Sequence, residues 1–439
     1  MKEQQITSTK ELIKFISASP TAFHAVDEIS SRLSAAGFEL LSEARRPTLV
    51  PGGSYYLTRN GSSIIAFRLP QSEPKGLLIT ASHTDSPTFK LKYNSAFGGA
   101  GGTLKLNTER YGGTILSSWF DRPLSIAGRA VIRTTNGIAT KTVTLDRDLA
   151  IIPNVAIHQN RAINDGYKYN PACDTYPLIG EVESQNLLEQ YIAEAAGCAV
   201  EDLLGSDLYL YNRTPGTILG LNNEFFSAPR IDNLQCAFAS LSAFLDVTAN
   251  EHIQMLAVFD NEETGSSSRQ GAASTFLTDT VDMIGEALGM SLAEQHRLLP
   301  SSMMVSADNG HAIHPNHPEL SDSMNAPKMN HGVVIKYNAN QRYTTDALSA
   351  AFFNEICTKA GVETQVFANR SDMAGGSTLG NISNTKLALN TVDIGLAQLS
   401  MHSCYETAGT ADTLSMICAL KAFYSTTVRA LSDGNYEIF

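Results

Sequence analysis

The stretch DNEETG, residues 260–265, places two glutamates side by side directly after the apolar run 255–259. Only 17% of the residues in the chain are charged, so this concentration of acidic and amide side chains stands out. Carboxylates that lie close together in an apolar environment are costly unless a positive charge lies between them. The stretch therefore predicts a metal ion bound beside Glu262 and Glu263.

Other acidic and histidine side chains also follow apolar runs. LLITASHTD ends in His83 and Asp85, MMVSADNGH contains Asp308, and QLSMHS contains His402. Asp232 lies at the start of the amphipathic stretch IDNLQCAFASLSAFLDV. Histidine nitrogen and carboxylate oxygen are the ligands of catalytic zinc. Because an open α/β sheet binds its ligands beyond the carboxyl ends of its strands, we expect these side chains to meet there.

This ligand set suits two divalent ions that share a carboxylate. Two ions about 3.5–4 Å apart need a common ligand, and a carboxylate can give one oxygen to each. We expect Asp232 to be that bridge. His83 and Asp308 would complete the site of one ion, and the other site would be completed by Glu263 and His402. Zinc is the expected metal, although manganese and cobalt also accept such ligands.

Two further acidic residues would support the chemistry of these ions. Consecutive residues in a turn point in different directions, so Glu263 can face a metal while Glu262 faces the attacking water as general base. Asp85 can accept a hydrogen bond from the second ring nitrogen of His83, or of a neighbouring ligand, and fix the orientation of that ring. We therefore predict Glu262 and Asp85 as catalytic residues.

The predicted elements alternate between helix and strand at both ends of the chain. Apolar residues at helical spacing predict a helix over STKELIKFISA and a second helix after Pro20. Strands alternate with helical patterns again after Pro229, which indicates an α/β domain. Glycine-punctuated, alternating stretches between them indicate a β-rich insert. We predict a mostly parallel central sheet flanked by helices over residues 1–89 and 222–439, interrupted by a β-rich inserted domain over residues 90–221.

Composition excludes several classes of partner. The 44 acidic and 32 basic residues give a net charge of -12, which argues against binding to nucleic acid or to an anionic membrane. The polar start MKEQQITSTK has no apolar signal core, and no window offers the length of apolar residues that a membrane span needs. The six cysteines are scattered, with no C-x-x-C pair, which suits a reducing compartment. We expect a cytoplasmic protein.

Five strings in order carry a family resemblance: SHTDSP, APRIDNL, DNEETGS, SADNGHAIHPNHPE and QLSMHS. Together they resemble the M18 family of metallo-aminopeptidases, and in particular the aspartyl aminopeptidase group. The similarity extends over nearly the whole chain, including SPTAFHAV near the start and WFDRPLSIAGR in the predicted insert.

The resemblance implies a zinc-peptidase-type catalytic domain with two zinc ions. It also implies an inserted dimerisation domain and assembly into a large homo-oligomer, typically a tetrahedral dodecamer. The metal ligands of the family fall on His83, Asp232, Glu263, Asp308 and His402. Glu262 takes the position of the general base, and Asp85 supports a ligand from behind.

Two further positions correspond to substrate-binding residues of the family. IPNVAIHQNR matches a segment whose histidine, here His158, reaches the substrate carbonyl in the neighbouring subunit. His158 is alternatively a metal ligand together with His83 and His402, or a structural hydrogen-bonding residue. VIKYNANQRY matches a segment whose lysine, here Lys336, meets the acidic side chain of the first residue of the peptide. His311 and Tyr343 are candidates for lining that pocket.

We therefore predict a metallo-aminopeptidase that releases N-terminal residues, Asp or Glu by preference, from peptides. A preference for neutral or hydrophobic N-terminal residues is one alternative. A related di-zinc amidase or carboxypeptidase is another, and it would need an arginine for a free substrate carboxylate. An inactive assembly protein that binds cargo is a remote alternative. We expect no metal site at His314 and His317, which lie in a proline-containing loop, and a structural role for His24.

Overall fold

The computed structural model describes residues 2–439, which form an α/β fold as predicted. The helices are α1 (Lys2–Ala18), α2 (Ala22–Ala35), α3 (Leu187–Ala196), α4 (Ile231–Asp246), α5 (Phe276–Ala287), α6 (Leu292–Leu298), α7 (Ala347–Ala360), α8 (Leu379–Ser383) and α9 (Asp412–Ser425). The first helix begins before the expected Ser8, because residues 2–7 contain no proline or glycine and continue the same helix.

The strands follow in chain order. They are β1 (Glu39–Leu40), β2 (Ser54–Arg59), β3 (Ser63–Arg68), β4 (Leu77–His83), β5 (Thr88–Gly98), β6 (Thr103–Tyr111), β7 (Leu124–Thr134), β8 (Gly137–Thr144), β9 (Leu178–Glu181), β10 (Leu203–Asn212), β11 (Thr217–Leu219), β12 (Phe225–Ala228), β13 (Ile253–Phe259), β14 (Met303–Ala307), β15 (Gly310–His311), β16 (Val333–Tyr337), β17 (Thr364–Ala368), β18 (Asn390–Gly395), β19 (Ala397–Leu399), β20 (Glu406–Gly409), β21 (Val428–Ser432) and β22 (Asn435–Ile438).

The largest sheet has nine strands in the order β1-β2-β3-β13-β4-β14-β18-β16-β17. Its four central neighbours β13, β4, β14 and β18 are parallel. The pairs β2–β3, β3–β13 and β16–β18 are antiparallel, so the sheet is mixed around a parallel centre. Parallel neighbours end at the same edge, and this geometry decides where the site can form.

Helices cover both faces of this sheet, which explains why its central strands are continuously apolar. In β13, Leu256 and Val258 pack with α1, α2, α4, α7 and α9 in one core cluster. Met255, Ala257 and Phe259 point to the opposite face and pack with α5 and α8 in a second cluster. The run before DNEETG is therefore buried on alternating sides.

A separate six-stranded sheet lies within residues 88–212, in the order β8-β7-β10-β5-β6-β9. Its pairings are antiparallel, and its core includes Leu188 and Ile192 of α3. A third sheet, β11-β12-β20-β19-β15, borders the central one, and β11 belongs to it although residues 217–219 lie within the predicted insert. The division into domains at residues 90 and 221 stays a prediction. No helix between residues 2 and 439 has the length and apolar character that a membrane crossing requires.

Candidate metal centre

Three neighbouring parallel strands deliver four of the predicted residues to one edge of the central sheet. His83 is the last residue of β4 and lies opposite Phe259 of β13 in the register. Glu262 and Glu263 occupy the turn after β13, and Asp308 follows the end of β14. The parallel arrangement of β13, β4 and β14 explains why residues so far apart in sequence meet here.

Two more predicted residues reach this edge from other elements. Asp232 lies in the first turn of α4 and is buried. His402 lies in the connection between β19 and β20, where its backbone has a φ of 68°. A non-glycine residue in this left-handed region needs support from surrounding contacts.

The two carboxylate oxygens of Asp232 face different histidines. Asp232 Oδ1 lies 3.6 Å from His83 Nε2, and Asp232 Oδ2 lies 3.5 Å from His402 Nε2. His83 Nε2 also lies 3.5 Å from Asp308 Oδ1, whereas His402 Nε2 lies 3.4 Å from Glu263 Oε2. The cluster thus contains two groups of three side chains, with Asp232 common to both.

The histidine rings are oriented from behind by backbone carbonyls. His83 Nδ1 lies 3.1 Å from the carbonyl oxygen of Asp85, and His402 Nδ1 lies 3.2 Å from the carbonyl oxygen of Gly113. Because a carbonyl oxygen only accepts, each Nδ1 donates its hydrogen to the carbonyl, and each Nε2 is the nitrogen that faces the carboxylates. A neutral ring with its hydrogen on Nδ1 is the form that binds a metal through Nε2.

The residues present fit a divalent metal. Among residues 2–439, Asp232 Oδ1 and Glu263 Oε1 are buried oxygens without a hydrogen-bond partner. One ligand atom from each of His83, Asp232 and Glu263 lies within 4.8 Å of the other two. Buried carboxylate oxygens normally have a partner, so these oxygens indicate that a cation belongs between them.

Negative charge accumulates in the cluster. Burial and the carboxylate of Asp232 raise the pKa of Glu263 well above its usual range. Burial raises the pKa of Glu262 to about 8; His83 opposes this rise, and Asp308 and Asp85 add to it. A divalent cation would offset this repulsion.

Asp85 holds the turn that carries the two glutamates. Its Oδ1 accepts from the backbone nitrogen of Glu262 at 3.1 Å, and its Oδ2 accepts from that of Glu263 at 3.2 Å. The side chain of Asp85 lies 3.4 Å from His83 Nδ1, slightly farther than its own carbonyl oxygen. The contact with His83 that we expected is thus made chiefly by the backbone of Asp85, and its carboxylate fixes the glutamate turn.

Lys336 lies at this site, where its ammonium group contacts other residues of the protein. Its buried Nζ donates to the carbonyl oxygen of Asn309 at 2.7 Å and lies 3.4 Å from Asp308 Oδ2. Lys336 Nζ also lies 5.4 Å from the ring centroid of Tyr343. The rings of Tyr343 and His311 both approach Phe367, with centroids 6.2 Å away.

His158 is not brought to the cluster within the chain. It lies exposed in the turn at residues 157–159, and its side chain makes no hydrogen bond to any residue between 2 and 439. Val155 and Ile157 beside it are exposed as well.

Glu406 is a further residue of the site that the sequence patterns did not single out. Its buried Oε2 accepts from the backbone nitrogen of Asp232 at 3.0 Å, and its Oε1 accepts from that of His402 at 2.8 Å. The available signal was a glutamate four residues after His402 at the start of a strand. Such a charge in a buried strand needs partners, but only the structure shows that they are the backbones of two candidate ligands.

Comparison with known proteins assigns the chain to a family. The family model described as Aminopeptidase I zinc metalloprotease (M18) matches residues 15–424. A probable M18 family aminopeptidase 2 of Clostridium acetobutylicum is 42% identical over 431 residues, covering 96% of this chain and 100% of that protein. Its counterpart in Pseudomonas entomophila is 39% identical over 421 residues, covering 94% of this chain and 97% of that protein.

Solved structures agree with this assignment. A chain of the Ape4 and Nbr1 complex superposes with a TM-score of 0.92 at 33% identity, covering 96% of this chain and 86% of that one. Yeast aminopeptidase 1 superposes with a TM-score of 0.85 at 29% identity, covering 96% of this chain and 97% of that one. The chain belongs to the M18 family of zinc metallo-aminopeptidases, which hydrolyse peptide bonds, and both the predicted family and the predicted enzyme class are confirmed.

Proposed function

We propose that this aminopeptidase works with two divalent metal ions, zinc by preference, bridged by Asp232. The observation that carries this proposal is that the two oxygens of Asp232 face His83 and His402 separately. Asp308 would complete the set at His83, and Glu263 would complete the set at His402. When bound, the ions supply Lewis acidity and lower the pKa of water toward neutrality.

Glu262 is the proposed general base. Its backbone is fixed by Asp85, and its side chain lies among the charges of the cluster. The carboxylate form of Glu262 can accept a proton from the attacking water, and the carboxylic acid that results can return that proton to the leaving amine. Glu262 would therefore transfer protons while its neighbour Glu263 serves as a ligand.

Substitution of Glu262 by Gln tests this role. The amide keeps the size of the side chain but cannot take up the proton, so we expect kcat to fall about 10²–10⁴-fold. Metal content should stay at the wild-type level because Glu262 is not a proposed ligand. Wild-type turnover in Glu262→Gln would exclude the base, and loss of metal together with activity would reassign Glu262 as a ligand.

Lys336 supports a preference for acidic N-terminal residues. An ammonium group has three donors, and two of those on Lys336 point at the Asn309 carbonyl and at Asp308. The third would be left to donate to a substrate carboxylate. However, an ammonium that is already paired inside the protein also favours the alternative of a neutral N-terminal preference, because its charge is largely compensated.

A hydrolysis profile separates these two specificities. Lys336→Met should lose activity on Asp- and Glu-anilides far more than on Leu-anilide if Lys336 binds the substrate. If Lys336 only supports Asp308, all substrates should lose activity equally. A wild-type preference for Leu over Asp and Glu would exclude the acidic specificity.

The inserted region, residues 90–221, is the proposed assembly surface. Ile138, Val155, Ile157 and Leu187 expose large apolar side chains there, as expected of a surface that another subunit covers. A relative at 28% identity, mApe1 of S. cerevisiae, was solved as a dodecamer. We propose a homo-oligomer of this kind, in which the exposed His158 contributes to the active site of a neighbouring subunit.

His158→Ala tests that contribution. It should lower kcat without changing either metal content or the mass of the oligomer measured by analytical ultracentrifugation. Loss of metal in the variant would favour the alternative in which His158 is a ligand. Unchanged kcat would leave it a structural residue.

A further inference from the structure

A short segment of the six-stranded sheet region touches the metal centre from the same chain. Tyr111 is the last residue of β6, and Gly112 and Gly113 follow it. The hydroxyl of Tyr111 donates to Asp85 Oδ2 at 2.7 Å. The carbonyl oxygen of Gly113 accepts from His402 Nδ1 at 3.2 Å. The segment 111–113 thus reaches both ends of the site.

Tyr111 acts on the glutamate turn through Asp85. The same Asp85 Oδ2 that accepts from Tyr111 also accepts from the backbone nitrogen of Glu263. The Tyr111 hydroxyl in turn accepts from Asn261 Nδ2 at 2.8 Å. A single hydroxyl therefore links Asp85 to the turn that carries the base and one candidate ligand.

Gly113 acts on His402 and belongs to a longer set of contacts. The backbone nitrogen of Ile115 donates to the carbonyl oxygen of His402 at 3.0 Å. The backbone nitrogen of Cys404 donates to Ser118 Oγ at 2.9 Å. These bonds hold the connection in which His402 adopts its left-handed backbone conformation.

The two glycines lie close to candidate ligands. Gly112 has a φ of 71°, and a Cβ there would lie 3.1 Å from Glu263 Cβ. At Gly113, a Cβ would lie 3.2 Å from His402 Nδ1. A larger residue at either position would press on a candidate ligand.

We propose that Tyr111 and Gly113 are positioning residues of the metal centre. Both lie in the region that carries the proposed assembly surface, so this region would also set the geometry of the metal ligands in its own subunit. This inference rests on the proposed function, because it takes His402 and Glu263 as ligands. Partners behind a metal ligand fix its orientation, and their loss typically weakens metal binding about 10–100-fold.

Tyr111→Phe is the direct test, and Tyr209→Phe is its matched control. The Tyr209 ring packs edge-on against Tyr111, with centroids 5.5 Å apart, but its hydroxyl makes no hydrogen bond to residues 2–439. We expect Tyr111→Phe to weaken zinc binding to the metal-stripped protein about ten-fold or more and to lower kcat more than it changes KM. Tyr209→Phe should match the wild type in both respects, and the two metal-free variants should unfold at similar temperatures.

Gly113→Ala is the second variant, with Gly205→Ala as its control because a Cβ at Gly205 meets no atom within 4 Å. Gly113→Ala should weaken zinc binding and Gly205→Ala should not. The inference would be overturned if Tyr111→Phe and Gly113→Ala both bound zinc with wild-type affinity while His402→Ala bound it more weakly. That result would leave the proposed function standing. Undiminished zinc binding in His402→Ala would overturn both.

Discussion

At the scale of single residues, the candidate ligands are held by groups that do not themselves face a metal. Asp85 fixes the backbone of Glu262 and Glu263, and Lys336 lies against Asp308. Glu406 fixes the backbones of Asp232 and His402, which are 170 residues apart in the chain. Rigid support of this kind keeps ligand geometry ready for a metal before the metal binds.

Glu406→Gln should therefore weaken metal binding. Each carboxylate oxygen of Glu406 accepts from a different backbone nitrogen, and an amide would turn an NH₂ group toward one of these donors. We expect the dissociation constant for zinc, measured by competition with a chelator, to rise about ten-fold or more. The variant remains isosteric, so the fold should persist by circular dichroism. Wild-type affinity would show that Glu406 does not position the ligands.

At the scale of elements, the site depends on how closely strand ends approach one another. Gly395 ends β18 beside the turn that carries Asp308. A Cβ at this position would overlap the carbonyl oxygen of Asp308 and lie 3.0 Å from Lys336 Cε. The absence of a side chain at Gly395 thus lets β18 and the end of β14 place Asp308 at the sheet edge.

Gly395→Ala should disturb Asp308 and with it one half of the site. Overpacking of a buried contact typically costs about 1–3 kcal/mol, so we expect a lower free energy of unfolding together with weaker zinc binding. Denaturant titration and chelator competition measure the two effects. Gly205→Ala, in open space within β10, should change neither. Wild-type stability and affinity in Gly395→Ala would contradict the close approach.

The strands that carry the chemistry were predictable, because strands covered by helices on both faces are continuously apolar and their ends are marked by polar residues. This reasoning brought His83, Glu263 and Asp308 to one edge. It did not identify Tyr111 and Gly113, because their contacts use a hydroxyl and a carbonyl that reach across the tertiary structure. No periodicity in the sequence records such a contact. For the same reason, the pairing of Lys336 with Asp308 emerged only from the packing of β16 against β18.

At the scale of the whole molecule, the six-stranded sheet region and the remainder of the chain share partly buried polar contacts. His24 of α2 lies between Thr21 Oγ1 and Thr144 Oγ1 of β8, at 2.8 Å from each. Arg129 Nη1 donates to the carbonyl oxygen of Asn60 at 2.8 Å. These contacts, together with segment 111–113, link the proposed assembly surface to the metal centre, and they agree with a structural role for His24.

Acid should loosen the contact at His24. Burial, with a smaller contribution from the charge of Arg230, lowers the pKa of folded His24 from 6.5 to about 4. The unfolded chain therefore binds the additional proton, so the stabilisation is complete above pH 6.5 and is lost as the pH falls toward 4. At pH 5 the loss is about 2 kcal/mol.

His24→Gln keeps a donor and an acceptor but does not titrate, so its free energy of unfolding should depend less on pH. Denaturant titrations of metal-stripped wild type and variant at pH 7.5 and pH 5.0 measure the difference, without a contribution from competition between protons and metal. Identical pH dependence in the two proteins would rule out His24 as the titrating group.

The central claim is that two cations share Asp232 as a ligand, with His83 at one cation and His402 at the other. Elemental analysis by mass spectrometry tests this claim most directly. The purified protein is analysed before and after dialysis against a chelator, and peptide hydrolysis is measured on the same samples. We predict two transition-metal ions per chain, loss of hydrolysis when they are removed, and recovery when zinc is restored. Protein without stoichiometric metal that hydrolyses peptides undiminished in the presence of chelator would contradict the claim.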